Sequence, residues 1–513
     1  DFVRAQTGFV IGGVAPVAIV ALWGTARASL CTHTGVEQAE LEDLEASQAE
    51  RICRAALTAP DRHSALRLLA ATLGQLESAV PGLRNAGLFA MHELEHGVPT
   101  RADWVHAAEA ARPLLALRGR PLVERLGFRV DQLPGPASLL LAGGNRRVAV
   151  AVFLERPDQI EPAATLFDQL SPVSYALAKA DEYNLDYVIV SAGTTLRIYP
   201  VKPGVGTGRR GRTETYVELD LALLRDEQAG YLHLLASADA LHPEGSFVSI
   251  LNASREFAVG LGERLRDRVY EEVVPGFVEA LVKARHLRNP STEKLAETYE
   301  MALLVLFRLL FVAYAEDKEL LPLHSSESYR QHSLKQLALR LQREREQNAE
   351  YGSGGHYWSE VTQLWRAIDK GNPAWSVPAY NGGLFSEEAT PAAKALAALE
   401  LPDTEFALPL RALLLDESGE GVTGPIDFRS LGVREFGTIY EGLLEQDLAV
   451  AEHDLTVEKK TGAYVPARKG GVVVVPEGRV YLHNASGARK ASGAYYTKDF
   501  AVEHLLEHAL DPA

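Results

Sequence analysis

Four stretches of the chain bring together residue types that could do chemistry. The first is Arg489-Lys490-Ala491-Ser492-Gly493-Ala494-Tyr495-Tyr496-Thr497-Lys498-Asp499-Phe500. A glycine precedes two aromatic rings, and Thr497 is a good N-cap because its hydroxyl accepts from the first-turn N–H groups of a helix. Asp499 follows in that turn, where a negative charge suits the helix dipole. Phe500, Ala501, Leu505 and Ala509 share one stripe at helical spacing. Aromatic rings beside an open helix N-terminus can cradle a small zwitterion or anion. The same residues also describe an ordinary capped amphipathic helix.

The second stretch is Gly204-Val205-Gly206-Thr207-Gly208-Arg209-Arg210-Gly211-Arg212-Thr213, a glycine-rich loop after a strand-like run. Freed backbone N–H groups and the guanidinium forks of Arg209, Arg210 and Arg212 suit phosphate contacts. The spacing is G-x-G-x-G and it opens no helix, which argues against a dinucleotide site. The third stretch, His92-Glu93-Leu94-Glu95-His96, matches H-E-x-x-H, in which two histidines one turn apart grip zinc beside a glutamate base. A working zinc site needs a third protein ligand; candidates such as Glu109 exist, but nothing singles one out. Gly97 and Pro99 also end the helix directly after His96. No metal site is assigned. The fourth is Glu155-Arg156-Pro157-Asp158, two carboxylates behind an apolar run.

The elements that must position these residues fall into blocks. Residues 36–126 read as helical, with a turn at Pro81-Gly82. Residues 127–224 switch to short apolar runs bounded by turn signals: 138–141, 147–154, 187–190 and an alternating 196–199. A helix over about 169–183 separates the second run from the third, which makes this an α/β domain with a mixed sheet. Residues 225–450 are helical again. Arg264, Arg266 and Arg268 lie on the polar side of one helix, and residues 298–315 form a strongly apolar one. Arg308 interrupts that helix and Glu316-Asp317-Lys318 follows it, so it reads as buried and not as a membrane span. Residues 451–485 carry strand and turn signals of a small antiparallel region.

A chain of 513 residues is too long for one core. Its 47% apolar and 23% charged content are those of a globular protein. The net charge of −16 argues against general coating of nucleic acid but permits a local basic cleft. Two cysteines cannot build a disulfide framework or a zinc ribbon, so a reducing, cytoplasmic setting is expected. The apolar run 9–23 is too short to span a bilayer comfortably. Residues 7–16 resemble a short piece of an aminoacyl-tRNA deacylase domain, and residues 1–35 are read as a foreign or misjoined leader.

The motif R-K-x-S-G-x-Y-Y-T-x of residues 489–498 resembles the opening of the DNA adenine-N6 methyltransferase domain in type IIG restriction–modification enzymes and their phage-exclusion relatives, the BREX and DISARM methylases. Three further phrases resemble the helical connector of the same family, in the expected order: residues 307–317 (F-R-L-L-F-V-A-Y-A-E-D), 380–385 (Y-N-G-G-L-F) and 427–444 (D-F-R-S-L-G-V-R-E-F-G-T-I-Y-E-G-L-L). The resemblance covers about residues 40–513.

It implies a multidomain α/β and mainly helical chain: a helical N-terminal region (36–126), a PD-(D/E)xK-like α/β domain (127–224), a helical connector (225–450), a small β region (451–485) and the start of a Rossmann-like methyltransferase domain (486–513). By resemblance Gly493, Tyr495, Tyr496 and Thr497 help hold S-adenosylmethionine. Lys498 departs from the family's usual proline, which would pre-set the first helical φ. The nuclease chemistry needs two carboxylates for Mg²⁺ and a lysine near the attacking water. Glu155 stands where the glutamate would be, but no E-x-K follows and residues 134–136 offer no acid, so the nuclease is expected to be degenerate. The N-P-P-Y/F motif that receives a flipped adenine does not occur. The expectation is a fragment of a defence-system DNA methyltransferase, inactive alone, with no catalytic residue of its own, double-stranded DNA and other defence subunits as partners, and no membrane. A Mg²⁺-dependent endonuclease and a non-catalytic DNA-binding module are the alternatives, and a zinc peptidase a distant third.

Overall fold

The computed structural model describes residues 18–23, 27–33, 38–59, 65, 68–69, 72, 80–207, 211–288, 290–323, 325–417, 423–431, 433–444, 446–458, 464–468 and 471–484. The chain is mixed α/β and separates into two compact units, Asp1–Ala258 and Val259–Ala513.

The first unit is built on a seven-stranded sheet of order β4-β10-β9-β8-β7-β6-β5. Its strands are β4 (Leu83–Ala86), β5 (Arg129–Gln132), β6 (Ala137–Ala142), β7 (Arg146–Leu154), β8 (Tyr187–Ala192), β9 (Thr195–Pro200) and β10 (Tyr216–Asp220). All neighbours are antiparallel except β7 and β8. That parallel pair requires a crossover, which the helix Pro172–Glu182 supplies. Ser171 starts the helix, its Oγ accepting from Ser174 N at 3.1 Å, and Pro172 sits at the first helical position, where its missing N–H costs nothing.

Strict alternation along the strands feeds two cores. Ala149, Ala151, Ile189, Ile198 and Val217 face one side with Leu122, Tyr231 and Leu235. Val150, Val152, Val188, Val190 and Tyr199 face the other with Ala176, Leu177 and Ala180 of the crossover helix. Covering both faces explains why the central strands read as unbroken apolar runs. It also explains Arg197. The alternating stretch 196–199 reads as half-solvated, yet every residue of β9 is buried. Arg197 is 8% exposed, opposite Glu218 in the β9–β10 register, and bonds Glu218, Glu161 (2.6 Å) and the Tyr199 hydroxyl (3.2 Å). Burial alone would lower its pKa, but the Glu218 carboxylate together with Tyr199 and Tyr216 raises it.

Residues 36–126, read as helical from sequence, also contain the strands β3 (Gln38–Glu45) and β4. β3 pairs with β2 (Arg27–His33), which pairs in turn with β1 (Ala18–Trp23), in a separate antiparallel sheet that includes part of the 1–35 region, and β4 joins the edge of the large sheet. β4 is four residues long, too short to carry a periodic signal.

The second unit is arranged round the helix Thr292–Asp317, capped by the Ser291 hydroxyl. Among the described residues this is one helix long and apolar enough to cross a membrane, and 67% of its most apolar window is buried in the protein. Around it lie the helices Val274–Ala284, Leu334–Glu346, His356–Lys370, Pro391–Ala397, Asp403–Leu414 and Val433–Leu444. Arg264 and Arg268, placed from sequence on the polar side of a helix, both grip Asp416, at 2.7 and 3.1 Å.

Three antiparallel pairs complete the unit: β11 (Leu415–Glu417) with β12 (Thr423–Pro425), β13 (Gln446–Val450) with β16 (Val480–Asn484), and β14 (Leu455–Val457) with β15 (Tyr464–Pro466). The apolar run 471–475 is not a strand. Val475 makes a single bridge to Leu455, and Val472, Val473 and Val474 are exposed.

Candidate functional site

β6 and β7 run through the middle of the large sheet with no carboxylate and no lysine on either strand. Their side chains are committed to the two cores; Ser138, the polar residue of β6, is buried and donates to Gln132 Oε1 at 3.5 Å. Glu155 stands just past the end of β7 and is exposed, its own backbone N–H donating to Gln159 Oε1 at 3.1 Å. Asp158 is held by Arg156 at 3.0 Å and Asp131 by Arg129 at 3.0 Å. Asp158 lies in the turn after β7 and Asp131 in the edge strand β5, and each pairs with a neighbouring arginine. Among the described residues no group of three His, Cys, Asp or Glu could hold a metal ion. Mg²⁺ and EDTA are therefore expected to give the same melting temperature. Glu155→Ala is expected to shift stability by no more than about 0.5 kcal/mol, the scale of a surface change. A Mg²⁺-dependent melting shift that Glu155→Ala removes would contradict this reading.

The H-E-x-x-H stretch forms a single wide turn, Glu93–Gly97, of π-helical type. The two histidine rings are neighbours, with centroids 4.9 Å apart, but His92 is stacked on Phe257 at 4.2 Å and 7°. Glu93 folds back over Gly97, where a Cβ would lie 2.3 Å from the carboxylate. Burial raises the Glu93 pKa, and the charge of Arg101 partly offsets it. The turn is a packed corner of the first unit.

The glycine–arginine loop leaves β9 and returns to β10. Its two ends are anchored. Gly206 has φ +109° and packs so tightly on the 87–88 turn that a Cβ would lie 2.5 Å from the Gly87 carbonyl oxygen. Thr207 Oγ1 donates to the Phe89 carbonyl at 3.1 Å. On the other side, Arg212 pairs with Asp181 at 2.9 Å and donates to the Val201 carbonyl at 3.2 Å. Arg212 is thus a brace as well as a cation, with 36% of its side chain exposed. Arg209 and Arg210 lie outside the described residues, between these anchors in sequence.

In the second unit the three connector phrases meet on the helix Thr292–Asp317, which carries the first of them. Arg308 of the helix donates through Nε to the Leu384 carbonyl (2.7 Å) and through Nη2 to the Ser386 carbonyl (3.1 Å), and Phe311 packs edge-on against Phe385 at 5.3 Å. These contacts hold the 380–385 phrase. Asp317 accepts from Phe428 N at 2.7 Å, while Phe307 packs on Tyr440 and Tyr314 on Phe436, each at 5.5 Å. These hold the 427–444 phrase. Gly442 in that phrase lets Tyr270 approach, since a Cβ there would lie 2.0 Å from the Tyr270 hydroxyl oxygen.

The helix ends in a buried polar knot that sequence reading did not single out. Glu316 is 1% exposed and accepts from the Tyr329 hydroxyl (2.8 Å), Leu334 N (2.9 Å) and Lys335 N (3.0 Å). Its carboxylate thereby caps the helix Leu334–Glu346 from another part of the chain. Asp317 also accepts from Lys335 Nζ at 3.2 Å. A cavity of about 10 Å³ adjoins Glu316, Asp317 and Lys335. Two adjacent acids ending an apolar helix were the available sequence signal; their partners lie too far along the chain to be read.

Burial raises the Glu316 pKa to about 7, the three donors pulling it back only in part. A raised carboxyl pKa stabilises the fold most below its unfolded value, and that contribution is lost as pH rises to the folded one. Relative to Glu316→Gln, the protein is expected to lose stability between about pH 4.5 and 7, by up to about 1.4 kcal/mol per pH unit, and to run parallel above pH 7. Urea unfolding of the two proteins across that range is the check.

Gly493, Tyr495, Tyr496 and Thr497 lie outside the described residues. No protein-family model matches the chain, and no curated protein or solved structure matches it.

Proposed function

We propose that the chain is part of a DNA adenine-N6 methyltransferase of the type IIG, BREX or DISARM kind. On this reading the seven-stranded unit is a nuclease-like domain without its catalytic acids, the second unit is the connector, and the 486–513 region begins the methyltransferase domain that takes S-adenosylmethionine. One observation supports it above the others: of three sequence phrases chosen only for their resemblance to that connector, two contact the helix that carries the third. Unrelated phrases scattered over more than a hundred residues have no reason to share a single hub. The apolar β6 and β7, with Glu155 exposed beyond them, favour a module that binds DNA without cutting it. The braced glycine–arginine loop supplies the cations for phosphate contact. The test is salt-dependent binding of double-stranded DNA and its response to Arg209→Ala/Arg210→Ala.

A further inference from the structure

The register of the large sheet brings a second glycine–arginine element to the rim that carries the first. β7 and β8 start at the same end of the sheet, with Ala149 paired to Tyr187, and β9 finishes there, with Pro200 opposite Tyr187. The 201–215 loop therefore emerges on the same rim as the β6–β7 turn, Gly143-Gly144-Asn145, and the start of β5. Arg146 and Arg147 follow that turn. Leu141 pairs with Arg129 on one side and with Arg147 on the other, so these two arginines lie two strand spacings, about 10 Å, apart. Arg125 ends the helix Gly119–Arg125 that leads into β5. Arg125, Arg129 and Arg147 are all exposed. So are Gly143 and Gly144, and a Cβ on either would meet nothing within 4 Å, which leaves the turn open to a bulky partner.

Acids share this rim, and four of them form exposed pairs. Glu124 pairs with Arg120 (2.8 Å), Asp131 with Arg129 (3.0 Å), Asp181 with Arg212 (2.9 Å) and Asp186 with Lys202 (3.0 Å). Exposed pairs contribute little, so an arginine can exchange its carboxylate for a phosphate at small cost. Outside these pairs Arg125, Arg146 and Arg147 stand against Glu214 and Asp239, and the loop's Arg209 and Arg210 add two more cations in sequence. A chain of net charge −16 thus keeps a local excess of cations along one rim. The opposite rim is acidic, with Glu155 and Asp158 past the end of β7 and Asp220 at the end of β10.

We propose that duplex DNA lies along this basic rim, at the end of the sheet away from Glu155, with Arg125 and Arg147 holding phosphates alongside the glycine–arginine loop. The inference rests on the DNA-binding reading above and adds where the duplex lies. Guanidinium forks suit phosphate oxygens, and such contacts carry no base information. The test is binding of a short mixed-sequence duplex across salt concentrations by the full chain, by Arg125→Ala/Arg147→Ala and by Arg156→Ala. Arg156 follows β7 on the opposite rim and is the control. The double variant flattens the slope of log Kobs against log salt by about 1.8 and weakens binding at low salt by at least about tenfold. Its melting temperature is unchanged, because both side chains are on the surface. Arg156→Ala binds as the parent does. A parental slope in the double variant, where Arg209→Ala/Arg210→Ala does weaken binding, overturns the rim and leaves the DNA-binding reading standing. An equal loss per charge in Arg156→Ala overturns the rim in favour of general attraction. No duplex binding by the parent chain overturns both.

Discussion

Glu316→Ala is expected to lower the unfolding free energy of the Val259–Ala513 unit by about 4 kcal/mol. The substitution removes one acceptor and strands three donors. Two are backbone N–H groups at the start of the helix Leu334–Glu346, and the third is the hydroxyl of Tyr329, which is 0% exposed. Each unsatisfied buried donor costs about 1–3 kcal/mol, and alanine leaves little room for water to replace the carboxylate. Tyr329→Phe removes one donor and keeps the acceptor occupied by the other two, so its cost should be nearer about 1 kcal/mol. Urea unfolding followed through Trp358, Trp365 and Trp375 reports on this unit. A Glu316→Ala midpoint close to that of Tyr329→Phe would mean the knot is not what fixes the end of the hub helix.

The large sheet was legible wherever a strand was both long and buried. The runs 138–141, 147–154, 187–190 and 196–199 correspond to β6, β7, β8 and β9, and the helix between them was visible from its period. β4 was hidden because four residues carry no periodicity, and its place at the sheet edge is fixed by pairing with β10, more than a hundred residues later. The partners of charged residues were hidden for a related reason. Arg197, Arg264 and Arg268 meet Glu218 and Asp416, which arrive from elsewhere in the fold. Glu316 is the same case with more at stake: two adjacent acids at a helix end suggest solvent, and only the arrival of Tyr329 and Leu334 turns them into a buried cap. The H-E-x-x-H stretch, to which no metal site was assigned from sequence, forms a packed turn whose first histidine lies flat on Phe257.

Of the site residues chosen from sequence, Arg212 can be judged for its local role. Its bonds to Asp181 and Val201 make it a brace for the loop, so Arg212→Ala would disturb the loop as well as remove a charge. Arg209→Ala/Arg210→Ala is the cleaner probe of phosphate contact. Each phosphate neutralised contributes a slope of about −0.9 in log Kobs against log salt, so losing two contacts should flatten the slope by about 1.8 and weaken binding at low salt by at least about tenfold. The loss should be the same for any duplex sequence, because phosphate contacts carry no base information. Against a net charge of −16, binding of this kind depends on a local cluster and not on general attraction.

The most direct measurement is therefore the salt dependence of duplex DNA binding by the 513-residue chain and by its Arg209→Ala/Arg210→Ala variant. The account predicts binding that steepens as salt falls, a slope flatter by about 1.8 in the variant, and DNA left uncut in Mg²⁺. No binding at low salt, or equal slopes for the two proteins, would contradict it.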